Sequence, residues 1–363
     1  MKFDTTKEVL VKGIQEVQNA INPKTTLPIL SNILIETGKD IVSLTATDLD
    51  IGITSNIQVK PGADGAITIP AKKFFDIIKE LPDGDVSISV KKNNLVHIEC
   101  PSCLFKMMGL PKDEFPQLPD FKDKDSIVMP RQRLKKMIAM TSFAISRDET
   151  RYVLNGALFM IKPTFMRIIA TDGRRLAMVE EKAQAPKTQE RKVIIPAKTI
   201  SELGKLLGDE GEVKICFGNN QIMFDMGNTK VVSRLIEGEF PNYEQVIPKE
   251  AKDRVGIKRG LFLAATKRAA LFTNQDSLAV KVELTKDKMV ISKSAQYIGE
   301  AREELAVDYK GKDVAVGFNP EYLVDVLKNI SEEVVNLEIV DAEKPGVIRI
   351  GSEYVYVVLP MQL

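Results

Sequence analysis

Hydrophobic and polar positions alternate between two periods along this chain. Val9, Leu10, Ile14, Val17 and Ile21 recur at helical spacing, and strand-like runs follow at 32–36, 41–47 and 51–59. A short strand at Lys2-Phe3-Asp4 precedes that helix. The plan then repeats, with a strand at 65–70, a helix at 71–80 and strands at 86–90, 95–100 and 104–108. The first third of the chain therefore reads as two βαβββ halves.

Whole words also return. Ile69-Pro70-Ala71-Lys72 opens one helix, Ile195-Pro196-Ala197-Lys198 opens another, and Gly317-Phe318-Asn319-Pro320 is a weaker third copy. Ala46-Thr47-Asp48 matches Ala170-Thr171-Asp172, and Phe115-Pro116 matches Phe240-Pro241, at nearly the same offset. A period of this length is too long for a solenoid unit, so each copy carries its own core. The 363 residues thus predict an α+β chain of three tandem domains, 1–123, 124–249 and 250–363. The joints fall at Phe121-Lys122-Asp123-Lys124 and Pro248-Lys249-Glu250-Ala251, both charged and turn-prone. Later helices are expected at 130–143, 197–207, 258–272 and 319–330, with Pro130 suited to a first helical turn.

Charge changes the picture. The net charge is only +1, but two helices are strongly basic. One carries Arg131, Arg133, Lys135 and Lys136, the other Lys258, Arg259, Lys267 and Arg268, with no acid in either span. Charge alone leaves two readings open. These are solvated helix faces, or they form a helix-lined surface that attracts phosphates without reading bases.

Much chemistry is missing. The chain has no phosphate-cradling glycine loop, no dinucleotide fingerprint, no nucleophile elbow and no paired-histidine zinc motif. His97 is the only histidine, which removes most triads and metal cages, and no acidic pair stands out for general acid–base work. No metal or cofactor is expected. Cys100 and Cys103 share a C-x-x-C spacing with no second pair, so they and Cys216 read as buried reduced thiols. The amino terminus lacks the apolar core of a signal peptide, and no stretch reaches membrane-span length, so a cytoplasmic, non-catalytic binding protein is expected.

Two local features remain. Thr171-Asp172-Gly173 between extended runs is a hairpin signal, with Arg174 and Arg175 just beyond it. The chain ends in an apolar tail, Pro360-Met361-Gln362-Leu363, which is either packed or waiting for a partner, and packing is the expectation.

Together these words resemble a family. Met1-Lys2-Phe3, Thr26-Leu27-Pro28-Ile29-Leu30, Thr45-Ala46-Thr47-Asp48-Leu49, Arg151-Tyr152-Val153-Leu154-Asn155-Gly156, Ala170 through Ala177 and the ending Val357 through Leu363 are similar to bacterial sliding clamps, the beta subunits of DNA polymerase III. The resemblance implies a head-to-tail homodimer of three-domain protomers, a ring whose helices line the hole and face duplex DNA. It implies a processivity factor, tethering the replicative polymerase, clamp loader and repair factors through short peptides. The partner-peptide pocket it implies uses Leu154, Thr171, Gly173, Arg174, Arg175, Leu176, Pro241, Val246, Asn319, Tyr322, Val357, Val358, Leu359, Pro360 and Met361. The dimer contact it implies sets Phe105 and Met107 against Leu271 and Phe272. Lys24 and Lys198 match its DNA-facing positions; Lys72 and Lys73 join the basic helix residues in that set. Arg174, Leu359 and Gln362 depart from the residues common there, as do Glu244 and Gln245 after Tyr243, which bears on peptide preference.

Overall fold

The computed structural model describes residues 1–21, 27–121, 126–182, 190–249, 254–274 and 277–363, with Pro61 by its backbone alone. Lys24, the 123–124 joint and Glu250-Ala251 of the second joint lie outside the described residues.

The first third runs β1 (Lys2–Thr6), α1 (Lys7–Val17), β2 (Asn32–Thr37), β3 (Ile41–Thr47), β4 (Ile51–Gln58), β5 (Lys60–Ala63), β6 (Gly65–Pro70), α2 (Ala71–Glu80), β7 (Asp85–Val90), β8 (Leu95–Cys100) and β9 (Cys103–Met108). The middle third runs β10 (Ser126–Pro130), α3 (Arg131–Thr141), β11 (Gly156–Ile161), β12 (Phe165–Thr171), β13 (Arg175–Lys182), β14 (Arg191–Pro196), α4 (Ala197–Leu206), β15 (Glu212–Phe217), β16 (Gln221–Asp225) and β17 (Thr229–Arg234). The last third runs β18 (Val255–Lys258), α5 (Arg259–Ala270), β19 (Val280–Thr285), β20 (Lys288–Ala295), β21 (Gly299–Ala306), β22 (Val314–Phe318), α6 (Pro320–Asn329), β23 (Val334–Glu338), β24 (Gly346–Ile350) and β25 (Tyr354–Val358). The strand–helix–three-strand order holds throughout, with β5 the one addition. Pro130 closes β10 instead of opening α3, and α3 tightens after Thr141 into a 3-10 turn at Ser142–Ala144.

The chain packs as two compact units, one of residues 1–132 with 201–235, the other of 133–200 with 236–363. The first unit holds a sheet ordered β5-β1-β7-β8-β9 and an eight-stranded sheet ordered β10-β15-β16-β17-β4-β3-β2-β6. The second holds an eight-stranded sheet ordered β14-β11-β12-β13-β25-β24-β23-β18 and a four-stranded sheet ordered β21-β20-β19-β22. Strand exchange refines the βαβββ reading. The strand before each helix joins the three strands after the other helix of the same repeat, as β1 does with β7, β8 and β9 and β6 does with β2, β3 and β4.

Every half-sheet therefore shares four strands of the same kind, with β5 added beside β1 in the first, and the eight-stranded sheets are two halves joined by a ladder. β4 pairs antiparallel with β17, and β13 pairs antiparallel with β25. The equivalent strands of the remaining halves, β9 and β21, each end their sheet.

Alternation of side chains fills the cores. In the first unit α1 buries Leu10, Ile14 and Val17 and α2 buries Phe74 and Ile78. Gly13 lets α1 settle onto its sheet, because a Cβ there would come 2.8 Å from Ile57 and 2.9 Å from Leu44. In the second unit Phe262, Ala265 and Ala269 of α5 and Leu323, Val326 and Leu327 of α6 are buried. Each large apolar side chain so buried contributes about 1.5–3 kcal/mol.

The cysteines correct the expectation of three reduced thiols. Cys216 is buried and forms no disulfide, but Cys100 and Cys103 are joined by one and are half-buried. The cause is register. The tight β8–β9 turn sets Cys100 directly opposite Cys103 with Cα atoms 5.1 Å apart, within bonding range.

Candidate functional site

The Ala170-Thr171-Asp172 turn links β12 to β13 through a fixed set of local bonds. The Thr171 hydroxyl donates to Arg175 O at 2.6 Å and accepts from Gly173 N at 3.1 Å. Asp172 Oδ1 accepts from the backbone of Arg174 and Arg175 at 2.9 and 3.0 Å. Gly173 takes φ +85°, a left-handed conformation that glycine adopts without Cβ strain. A side chain there would also strike Arg151, whose Nη1 donates to Asp172 O at 2.8 Å. The first repeat builds the same turn at Thr47 and Asp48, with Leu49 at φ +80°.

That turn delivers Arg175 into a closely bonded position. Its guanidinium donates to Asp172 at 3.0 Å, to Asp325 on α6 at 2.7 Å and to Phe143 O at 2.6 Å. It also lies over the rings of Tyr322, 4.3 Å from the centroid, and Phe143, at 5.6 Å. Burial opposes the Arg175 charge, but the Asp325 hydrogen bond and the carboxylates around it raise its pKa above the ordinary arginine value. It is a permanent cation with its fork fully engaged.

The carboxyl-terminal strand completes the cluster. Leu176 and Val357 are neighbours across the β13–β25 ladder and pack with Ile169, Leu158 and Tyr243 in one core. Beyond β25, Leu359 N donates to Arg174 O at 2.9 Å and Met361 N donates to Gly317 O at 2.8 Å. The apolar tail is thus bonded to the sheet, as expected, while Leu359 stays 42% exposed.

The remaining predicted pocket residues lie in the same unit. Leu154 is buried at the end of a 3-10 turn, and Val358 is fully buried in β25. Asn319 caps α6 by accepting from Glu321 N at 2.9 Å, and Tyr322 O accepts from the Tyr356 hydroxyl at 2.9 Å. Pro241 and Val246 are exposed, next to Phe240 and Ile247, which pack on the core cluster. Pro360 is half-buried. Phe143, Asp172 and Asp325 were not singled out for this cluster from sequence. Asp172 stood inside a repeated word, whereas Asp325 lies 150 residues from Arg175 along the chain.

The basic residues divide into two kinds. Arg131 and Arg259 open their helices with backbone N–H groups bonded to Gly211 O and Glu333 O. Arg131 also donates to Glu212 O at 3.0 Å and to Met226 O, and Arg259 donates to Glu332 O and Leu327 O at 3.0 and 2.9 Å. Lys7 repeats this in the first domain, with its backbone on Gly84 O and its ammonium 2.6 Å from Leu81 O. Arg268 forms a two-point pair with Glu303 at 2.7 and 2.6 Å, and Lys136 lies 3.9 Å from Glu332. Arg133, Lys267, Lys258, Lys72, Lys73 and Lys198 are exposed, and Lys135 is half-buried.

The predicted dimer residues sit at or beside sheet edges. Phe105 on β9 is 39% exposed, Met107 is half-buried and Leu271 is 78% exposed. Phe272 is half-buried against Gly299 at the start of β21. Among the described residues no cluster of three or more His, Cys, Asp or Glu is placed to hold a metal, and no helix is long and apolar enough to cross a membrane.

Comparison with known proteins matches the whole chain. Family models for the N-terminal, central and C-terminal domains of the DNA polymerase III beta subunit match residues 1–119, 128–242 and 244–362. The beta sliding clamp of Chlamydia pneumoniae is 34% identical over 363 residues, covering 100% of this chain and 99% of that protein. A Pseudomonas aeruginosa sliding clamp solved bound to griselimycin superposes with a TM-score of 0.95 at 33% identity, covering 100% of both chains. The Bacillus subtilis clamp gives a TM-score of 0.95 at 31% identity, over 100% of this chain and 99% of that one.

Proposed function

Since the chain belongs to the DNA polymerase III beta-subunit family of sliding clamps, we propose that two copies close head to tail into a ring around duplex DNA and tether polymerase without catalysing a reaction. The observation that carries this is the pair of edge strands. Four of the six half-sheets are joined within the chain, through β4–β17 and β13–β25, and β9 and β21 are the equivalent strands left at their edges. A β9–β21 ladder between copies supplies the missing joint and closes both edges. Transferring the Ile51↔Ser233 and Ile53↔Val231 rungs sets Met107 opposite the partner subunit's Gly299 and Phe105 opposite the partner subunit's Ala301. Leu271 and Phe272 stand beside that start of β21, which agrees with the dimer contact implied by resemblance.

The repeats then serve as three clamp domains, 1–123, 124–249 and 250–363, with the helices facing the duplex. Arg133, Lys267, Lys258, Lys72, Lys73 and Lys198 are the exposed cations for phosphate, and Lys135 lies on the same basic helix. Arg131 and Arg259 act mainly through the carbonyls they hold. Sequence-independent attraction suits a ring that must slide. The Arg175-centred cluster with Leu359, Val246 and Tyr322 at its margin is the docking groove for a short extended peptide from polymerase, clamp loader or repair factors. The cytoplasm is the compartment of this work.

Loading the protein onto nicked circular DNA tests the reading. It is retained on the circle and lost when the circle is cut to a linear form. Retention on linear DNA with open ends would defeat the topological mechanism.

A further inference from the structure

The disulfide sits at the start of an edge strand. Cys103 is the first residue of β9, and the next rungs of the β8–β9 ladder are Glu99↔Leu104 and Ile98↔Phe105. Strand geometry puts Cys103, Phe105 and Met107 on one face. The covalent link therefore lies two residues from the apolar side chain assigned to the ring joint. Under the same register transfer, Cys103 is itself a rung, opposite the partner subunit's Glu303, as Thr229 is opposite Ser55.

The bond is also reachable. Both cysteines are half-buried, and Pro101 and Ser102 between them are exposed. Cys100 and Pro101 border an open cleft of about 660 Å³ lined by Asp4, Thr6, Asp85 and Glu99. The Ser102 hydroxyl lies 3.9 Å from Cys100 Sγ, placed to hydrogen-bond a thiolate as it forms.

We infer that Cys100–Cys103 is a redox site whose co-reactant is a dithiol, and that its state sets how firmly β9 is held for closing the ring. This rests on the β9–β21 reading of the dimer. A thiolate of the dithiol attacks one sulfur, the Cys100–Cys103 bond breaks and a mixed disulfide forms. The second thiol then displaces the chain, which leaves with two thiols while the reagent becomes a disulfide. Two electrons and two protons pass to the protein. Oxidised, the link pins the β8–β9 turn and presents β9 as a formed strand. Reduced, the turn loses that tether and the end of the edge strand frays, so ordering it falls to the dimer contact.

The experiment compares the full chain oxidised, reduced with dithiothreitol, and as the Cys100→Ser, Cys103→Ser double variant. Sedimentation velocity across a concentration series gives the dimer Kd, and non-reducing peptide mapping gives the bond state. Reduction is expected to weaken the dimer about tenfold, the scale set by closing so short a loop. The double variant is expected to match the reduced protein and to ignore the dithiol. Absence of the bond in the oxidised sample, equal Kd in the two states, or a double variant that still responds would overturn the inference while leaving the ring intact. A chain that stays monomeric in every state would overturn both.

Discussion

The Arg175 guanidinium lies 4.3 Å above the centre of the Tyr322 ring and bonds Asp325 three residues further along the same helix, α6. One cation thus ties the hairpin turn of the second repeat to the helix of the third. Arg175→Ala removes the cation paired with both Asp172 and Asp325, at an expected loss of about 3–5 kcal/mol in denaturant unfolding. Arg175→Lys keeps the charge but not the planar fork, and is expected to recover less than half of that loss. Full recovery by lysine would show that charge alone holds the cluster.

The two classes of basic residue separate on substitution. Arg133→Glu with Lys267→Glu is expected to shorten retention on DNA and flatten its salt dependence, with stability within about 0.5 kcal/mol of the parent. Arg131→Ala or Arg259→Ala strips donors from backbone carbonyls and is expected to lower stability by about 1–3 kcal/mol. Salt-titrated DNA retention beside thermal melts distinguishes these outcomes, and a reversed pattern would refute the division.

Left-handed turns give a paired test. Gly173→Ala meets both φ +85° and the Arg151 side chain, and is expected to destabilise by about 1–2 kcal/mol. Leu49 occupies the same position of the first repeat at φ +80°, so Leu49→Gly relieves backbone strain and is expected to be neutral or stabilising in calorimetry. Opposite signs at equivalent positions are the outcome to look for.

Alkaline pH should unfold the chain through its buried tyrosines. Burial raises the Tyr354 and Tyr356 hydroxyls above their ordinary value near 10.0, so the folded state favours the neutral phenols. Their stabilising effect is complete below the unfolded value and is lost as pH climbs above about 10. Urea midpoints are expected to fall over that range. Tyr356→Phe should reduce the drop, although it forfeits the hydrogen bond to Tyr322 O, worth about 1 kcal/mol.

Phe105→Glu places a charge where the proposed inter-subunit ladder needs an apolar side chain, and is expected to yield monomers in light scattering. Its own fold should be little changed, because Phe105 is already 39% exposed. A persistent dimer would move the joint elsewhere.

Much of this architecture was readable from periodicity, because buried positions such as Leu10, Ile14 and Val17 keep helical spacing and strand residues alternate. β5 carries no strand signal of its own, since Lys60-Pro61-Gly62-Ala63 contains two residues poor in strands. It pairs only along an edge. The exchange of leading strands was hidden because alternation fixes faces and not neighbours. Counting charges marked Arg131 and Arg259 as cations, but a count cannot see the carbonyls that receive them. The Cys100–Cys103 bond depended on the turn that aligns the two residues. Asp325 and Phe143 were invisible beside Arg175 because proximity there is created by the fold.

The ladders β4–β17 and β13–β25 have a mechanical consequence. A joint stitched by backbone hydrogen bonds along five rungs resists bending, since parting it means exposing a row of amides at once. Neither repeat boundary within the chain is therefore a natural hinge. In the proposed ring the two intermolecular seams, β9 against β21, are the joints that the chain does not itself stitch.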